Sequence, residues 1–487
     1  MKTSTLRQVS MPERQLRLEG ALLLLSVVLL ACAFPLQVLA RSPLPALASY
    51  VILLLVFAIR VRREFQGFRG WRSVRTLVQP TPSDWGVLAY ALIVLAHMVI
   101  NLAGGAVGWV VLGANTFNFL FPLLFYLYFR LFADGGNVRA ILIGVLVACA
   151  LTGAYSVTHA YLKMRHTPIP GSAQSEIKSA EQLEIKAWTL FGAMQRYQLE
   201  AGDYSRHRVG GDEDFVKKTM RVGGPRSAGL LESNSISAAW IALGLFAALG
   251  LIPLRRQWLR YAILIPFMGL LIVFQYYTAI FAAMISFMLV MLDSGTDGMH
   301  RAWSRRKVYG MLALLALLIW VFLMSLDERY QINLRHMAWI QYKLLFGGGQ
   351  AHYLNLVLDK LRGYGQYVSS FPWVILMGDG LGIYYPYSFS KGGDIGFAES
   401  LARLGIPLLL LVVGGGVRWA RDFLLRGKPI VLEDGVKFDG LPSFAIGVIA
   451  FVALNDVHYS IWPAKSILPL LMIAFALCGA RRRGKKH

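Results

Sequence analysis

The feature that most limits this chain is an alternation of long apolar runs with short clusters of arginine and lysine. A helix needs about twenty apolar residues to cross a bilayer, with somewhat shorter runs possible. Cytoplasmic loops collect Lys and Arg, so the clusters also number the crossings. Only 16% of the residues are charged, well under the roughly one quarter of a soluble domain. Lipid absorbs that much apolar surface and water does not. The net charge of +22 does not indicate nucleic-acid binding. The basic residues stand between apolar runs, as topology signals and lipid-phosphate contacts do.

Charge parity gives a path. Spans one and two run near 19–40 and 44–60, between a basic N-terminus and the cluster Arg60, Arg62, Arg63, Arg69, Arg72 and Arg75. The run from Leu22 follows Lys2, Arg7, Arg14 and Arg17 without a clear cleavage site, so it reads as a retained span and not a leader. Span three (86–103) exits and span four (114–132) returns to Arg130 and Arg139. Span five (138–158) exits into a long polar loop, 159–227, and span six (228–252) returns to Arg255, Arg256 and Arg260. The stretch 261–292 ends at Arg301, Arg305, Arg306 and Lys307. Both of its flanks are inside, so it must cross twice as two short spans. Span nine (308–325) exits to a second long loop, 326–400, and span ten (401–417) returns to Arg418 and Arg421. Span eleven (442–454) exits to Asn455, Asp456 and His458, and span twelve (464–479) returns to Arg481, Arg482 and Arg483. The expectation is an all-α polytopic protein of about twelve spans in one transmembrane domain, with both termini cytoplasmic and two large loops outside. Cys32, Cys149 and Cys478 each lie in an apolar run and read as small buried hydrophobes.

The two loops are where water-soluble chemistry can be built. In the first, Glu176 to Arg196 has helical apolar spacing and fits either a helix on the bilayer surface or a lid. The loop ends with Arg221, Gly223, Gly224 and Arg226 at the mouth of span six. The planar fork of Arg suits a phosphate, and an interfacial Arg also snorkels to lipid headgroups. Glu232, Ser233, Asn234, Ser235 and Ser237 follow inside the span. They face either a wet cavity or another helix.

The second loop carries Arg335, His336, His352 and many aromatics. The two histidines have no zinc-ligand pairing, and no Gly-x-Ser-x-Gly supports a serine triad. Met377-Gly378-Asp379-Gly380-Leu381-Gly382 permits a tight turn, and Asp394 and Glu399 precede span ten. A carboxylate there either accepts a proton from a sugar hydroxyl or caps the helix that begins at this point.

At these residues the chain resembles the superfamily of O-antigen ligases and Wzy-type polysaccharide polymerases. Those proteins have an arginine at the end of the first loop and a Gly-rich turn closing the second. A catalytic residue then stands eleven positions before a glycine that opens a span. Here the turn is Gly378 to Gly382, and Asp394 precedes Gly405 by eleven. Ligases carry His-Asn where this chain has Asp394-Ile395; an Asp there is similar to the peptidoglycan polymerases of the shape and division family. His458-Tyr459 looks like the His-Tyr before the last span of Wzy-type proteins.

The resemblance implies a bacterial inner-membrane enzyme acting on a glycan carried by a polyprenyl diphosphate. It implies inversion, no metal and no cofactor. Arg226, with Arg221 and Arg335, would neutralise the diphosphate. Asp394, or Glu399 one turn on, would take the acceptor proton. Asn234, Gly380, Gly382, His336 and His458 would line the substrate. Its partners would be that lipid-linked glycan, the surrounding membrane lipids and a chain-length regulator, with no nucleic acid. Polymerase comes first and transfer to lipid A-core second. A polysaccharide transporter or flippase and a non-catalytic scaffold are the readings from other classes.

Overall fold

The computed structural model describes residues 13–40, 44–66, 80–103, 116–166, 230–231, 234–274, 276–293, 310, 313, 349–370, 372–378, 396, 400–401, 403–406, 410, 430–431, 437–438, 440–457, 460–464 and 466–480. These are helical apart from turns and one two-residue antiparallel pairing, in which Ile430 faces Phe438 and Val431 faces Lys437. Among the described residues, three helical segments are long and apolar enough to cross a membrane: Arg17–Leu36, Gly135–Thr158 and Gln257–Phe274. Shorter apolar helices accompany them, among them Ser83–Val99, Ser235–Leu251 and Leu441–Asn455.

The first two helices, α1 (Glu13–Ala40) and α2 (Leu44–Gln66), form the expected hairpin. Then come α3 (Pro82–Ala103), a π-helical turn (Thr116–Leu120), α4 (Pro122–Phe132) and α5 (Gly135–His166). Next are α6 (Asn234–Leu251), a short α7 (Gln257–Ala262), α8 (Leu264–Phe274) and α9 (Tyr277–Asp293). The last are α10 (Gly349–Ser370), the single turn α11 (Val374–Met377), α12 (Leu441–Asn455) and α13 (Leu468–Ala480).

Contacts run α2–α1–α5–α6–α12–α13–α4 and close back onto α2, with α8 and α9 set against α6 and α12. At the centre is α6, whose residues Ala238 to Ala242 all have no exposed surface. Its sequence is apolar on every side, as a fully enclosed helix requires. Small residues let its neighbours come close. A Cβ on Gly447 of α12 would stand 2.1 Å from Phe246, and one on Gly244 would stand 2.6 Å from the Sγ of Cys149.

The outer helices are turned the other way from those of a soluble protein. Leu88, Leu92, Leu95 and Val99 form an exposed stripe on α3, and Val51, Leu55 and Ile59 are exposed on α2. Charged residues are inside instead. Arg60, Arg130 and Arg260, three arginines that the charge pattern places in loops or against lipid phosphate, are buried against protein. Apolar side chains outward and charges inward suit a lipid surround.

The stretch 261–292 does fold back on itself. The rings of Tyr261 and Phe287 are 6.1 Å apart, whereas a straight helix would separate residues 26 positions apart by about 39 Å. The break falls between Phe274 and Tyr277.

At the helix ends assigned to the inside, the charges are joined. Arg60 reaches Glu19 at 3.4 Å and Asp134 at 3.3 Å, and lies over the ring of Phe132. Asn137 donates to Glu19 at 3.0 Å and to Asp134 at 2.9 Å, and Tyr128 donates to Glu19. Asp134 also caps α5 by accepting from the backbone N–H of Asn137 at 2.8 Å. Thr81, Pro82 and Asp84 open α3 as a capping box: the Asp84 carboxylate accepts from the Thr81 N–H at 2.6 Å, and the Thr81 hydroxyl accepts from the Asp84 N–H at 3.4 Å. Arg130 then grips Asp84 with two bonds of 2.8 and 2.9 Å. Arg260 closes the C-terminus of α6 by donating to the carbonyls of Leu249 and Ile252, and donates to the Ser443 hydroxyl at 2.6 Å. A cation at that helix end meets the negative pole of the dipole.

Candidate functional site

The opposite ends of the helices carry a smaller polar cluster. α12 ends at Asn455, which is fully buried, and the chain turns at Asp456. Ser400, where the second loop is expected to give way to span ten, donates its hydroxyl proton to the Asp456 carboxylate at 2.6 Å. The indole N–H of Trp462 donates to the Ser400 oxygen at 2.8 Å. Ser460 stands 3.3 Å from the same oxygen. A hydroxyl has one proton to give and two lone pairs. The Ser400 proton is used on Asp456, so Ser460 is the donor in that contact. The Ser400 hydroxyl is therefore fully occupied. It ties the segment at Ser400 to the turn between α12 and α13 and is not arranged as a nucleophile.

One turn further on, two glycines make a second junction. Gly378 and Gly405 have φ of 74° and 70°, a region open to glycine without strain. A Cβ on Gly378 would lie 2.1 Å from the carbonyl oxygen of Arg403, and one on Gly405 would lie 2.7 Å from that of Leu376. Gly378, the first of the closely spaced glycines, is thus set backbone-to-backbone against Arg403–Gly405. α3 borders both junctions. Its Tyr90 meets Trp462 edge-on at 6.5 Å, and its buried His97 lies 6.0 Å from Trp373.

No family model matches the chain, and no curated protein matches it.

Several expected site residues lie outside the described residues: Asp394, Glu399, Arg221, Arg226, Arg335, His336, Gly380, Gly382 and His458, as does the helix expected over 176–196. Asn234 is the first residue of α6. Just ahead of it the Ser237 hydroxyl accepts from the backbone N–H of Leu231 at 3.1 Å. One of the polar residues in the first turn of α6 therefore serves the turn into the helix. Among the described residues, no three His, Cys, Asp or Glu side chains group to hold a metal ion.

Ser400, Ser460 and Trp462 have no place in a reading of the sequence by spacing, and Asp456 appears there only as a loop residue. A signal was present: an Asn-Asp pair closing an apolar run puts a carboxylate at the mouth of a span, where it needs a partner. What the cluster and the glycine junction do is hold three places together: Leu376 and Gly378, Ser400 and Gly405, and Asp456 with Ser460 and Trp462. Glu399 is the immediate neighbour of Ser400 in the chain, and Asp394 precedes it by six residues.

Proposed function

We propose that this chain is an inverting, metal-independent glycosyltransferase of the bacterial inner membrane that extends a glycan carried on a polyprenyl diphosphate. In this reading it spans the membrane about twelve times, with both termini cytoplasmic and the loops 159–227 and 326–400 in the periplasm. The observation that carries the reading is the junction of the Gly-rich turn with the head of span ten at Gly378 and Gly405. The resemblance makes those two segments parts of one active site, and their contact is what such a site requires.

In the reaction, an acceptor sugar hydroxyl attacks the anomeric carbon of the donor glycan. The bond from that carbon to the diphosphate oxygen breaks, and the polyprenyl diphosphate leaves with its electron pair. The hydroxyl proton passes to the carboxylate of Asp394, with Glu399 as the neighbouring acid. Arg226, with Arg221 and Arg335, meets the charge that grows on the diphosphate. Asp456 and Ser400 position the start of span ten and so the acids just before it. Asp394-Ile395, in place of the His-Asn of ligases, favours polymerisation over transfer to lipid A-core.

The test is to supply the purified chain with lipid-linked repeat units. Longer oligosaccharide on the polyprenyl carrier supports the reading. Transfer to lipid A-core would make the chain a ligase. No product from a folded sample, together with movement of the lipid across vesicles, would make it a transporter.

A further inference from the structure

Helix α10, Gly349–Ser370, is a well-formed amphipathic helix of 22 residues in the second long loop. Asn355, Asp359, Arg362 and Gln366 recur along one side and are exposed, with Arg362 paired to Asp359 at 3.2 Å. Leu358, Leu361, Tyr364 and Val368 recur along the other at helical spacing. Tyr364 and Val368 are half-buried, but Leu358 and Leu361 stay exposed. A leucine face without cover needs an occupant.

The segment that follows the helix says what that occupant is. Trp373 and Leu376 come directly after α10 and are both exposed, Leu376 at 62%. At Gly378 the segment is locked to Gly405. Beyond Gly405 the exposed side chains Ile406 and Leu410 belong to the apolar run of span ten. Exposed apolar side chains thus follow one another along the chain on both sides of the Gly378–Gly405 junction, Trp373 and Leu376 before it and Ile406 and Leu410 after it. Gly405 is five residues past Ser400, about 7.5 Å along a helix. If the apolar run after Gly405 crosses the bilayer as the charge pattern expects, the end of α10 is tied through Gly378 to the first turns of that span, near the membrane surface. A tryptophan at that depth is the usual interfacial anchor.

We propose that α10 lies along the bilayer surface with its Leu358–Leu361 face in the headgroup region, as a membrane-contact surface of the second loop. Its partner is lipid, on the side of the bundle where Ser400 meets Asp456. This holds whether or not the chain transfers sugars.

The test places single cysteines in a chain carrying C32A, C149A and C478A. L361C and L358C report the apolar face and Q366C the polar one. Each is labelled with an environment-sensitive fluorophore, in vesicles of phosphatidylethanolamine and phosphatidylglycerol. Doxyl-labelled lipid should quench L361C and L358C at least about twofold more than Q366C, and aqueous iodide should do the reverse. Equal iodide quenching of all three would put the helix in water and overturn the proposal. So would shielding of L361C and L358C from both quenchers, which is the mark of a covering protein such as a second copy. Either leucine position alone suffices where the other variant does not give a monodisperse protein.

Discussion

The two ends of this helical bundle are built from different materials. At one end Arg60, Glu19, Asp134, Asp84 and Arg130 form closed ion pairs between helices α1, α2, α3, α4 and the start of α5. At the other, one carboxylate, two hydroxyls and an indole join with two positive-φ glycines. Buried charges of opposite sign hold helices in one arrangement and make any unpaired state costly. Hydroxyls and glycine turns hold backbone at a set distance without a buried ion pair among the groups that make the junction. The first end is made for assembly; in the proposed function the second end is the one that presents side chains. The same division separates an active face from a structural one in enzymes whose catalytic groups sit on loops over a rigid frame.

Substitutions can break or sharpen that contrast. The largest effect should come from Asp394→Asn, which is expected to lower glycan extension by about 10²–10⁴-fold, the usual loss when a proton acceptor is removed. Thermal unfolding in detergent should stay where it was. Arg60→Met should do the opposite. It leaves Glu19 and Asp134 buried without their cation, at about 3–5 kcal/mol, and turnover per folded molecule should be unchanged. A variant at Arg60 that keeps its stability but loses turnover would erase the distinction between the ends. Gly378→Ala forces a side chain towards the Arg403 carbonyl at a strained φ. Here about 1–3 kcal/mol of stability should be lost, with turnover falling further than the unfolded fraction explains. The smallest effect is expected from Asp456→Asn, which keeps an acceptor for Ser400 and removes only the charge, for roughly 1.5 kcal/mol or less. Asp456→Ala should be worse in both unfolding and turnover, and equal behaviour of the two would remove the positioning role.

Much of the bundle was readable from the chain. The basic cluster after Arg60 and the basic N-terminus required a hairpin, and α1 and α2 form one. Two basic flanks required the stretch 261–292 to return, and Tyr261 meets Phe287. Periodicity and charge are local signals, and both hairpins are local structures. Pairings between distant polar residues carry no such signal. Glu19 finds Arg60 across 41 positions, and Ser400 finds Asp456 across 56. Nothing in the spacing of Arg60, Arg130 or Arg260 separates an arginine that grips a carboxylate from one that marks a loop. The site residues inferred from resemblance were picked by motif and nearly all lie outside the described residues, whereas the contacts at Gly378, Ser400 and Gly405 join segments whose spacing carries no sign of them.

The central helix α6 has a further consequence. Ala238 to Ala242 have no exposed surface in the finished bundle, yet if α6 is the sixth span of the proposed topology, the nascent segment has to partition into lipid before its neighbours surround it. Its sequence thus answers to two environments in succession. A polar substitution at Ala239 or Ala242 would be felt first as reluctance to enter the bilayer and only later as misfit among neighbours. Loss of the protein from the membrane during synthesis, and not a lowered melting point, would be its signature.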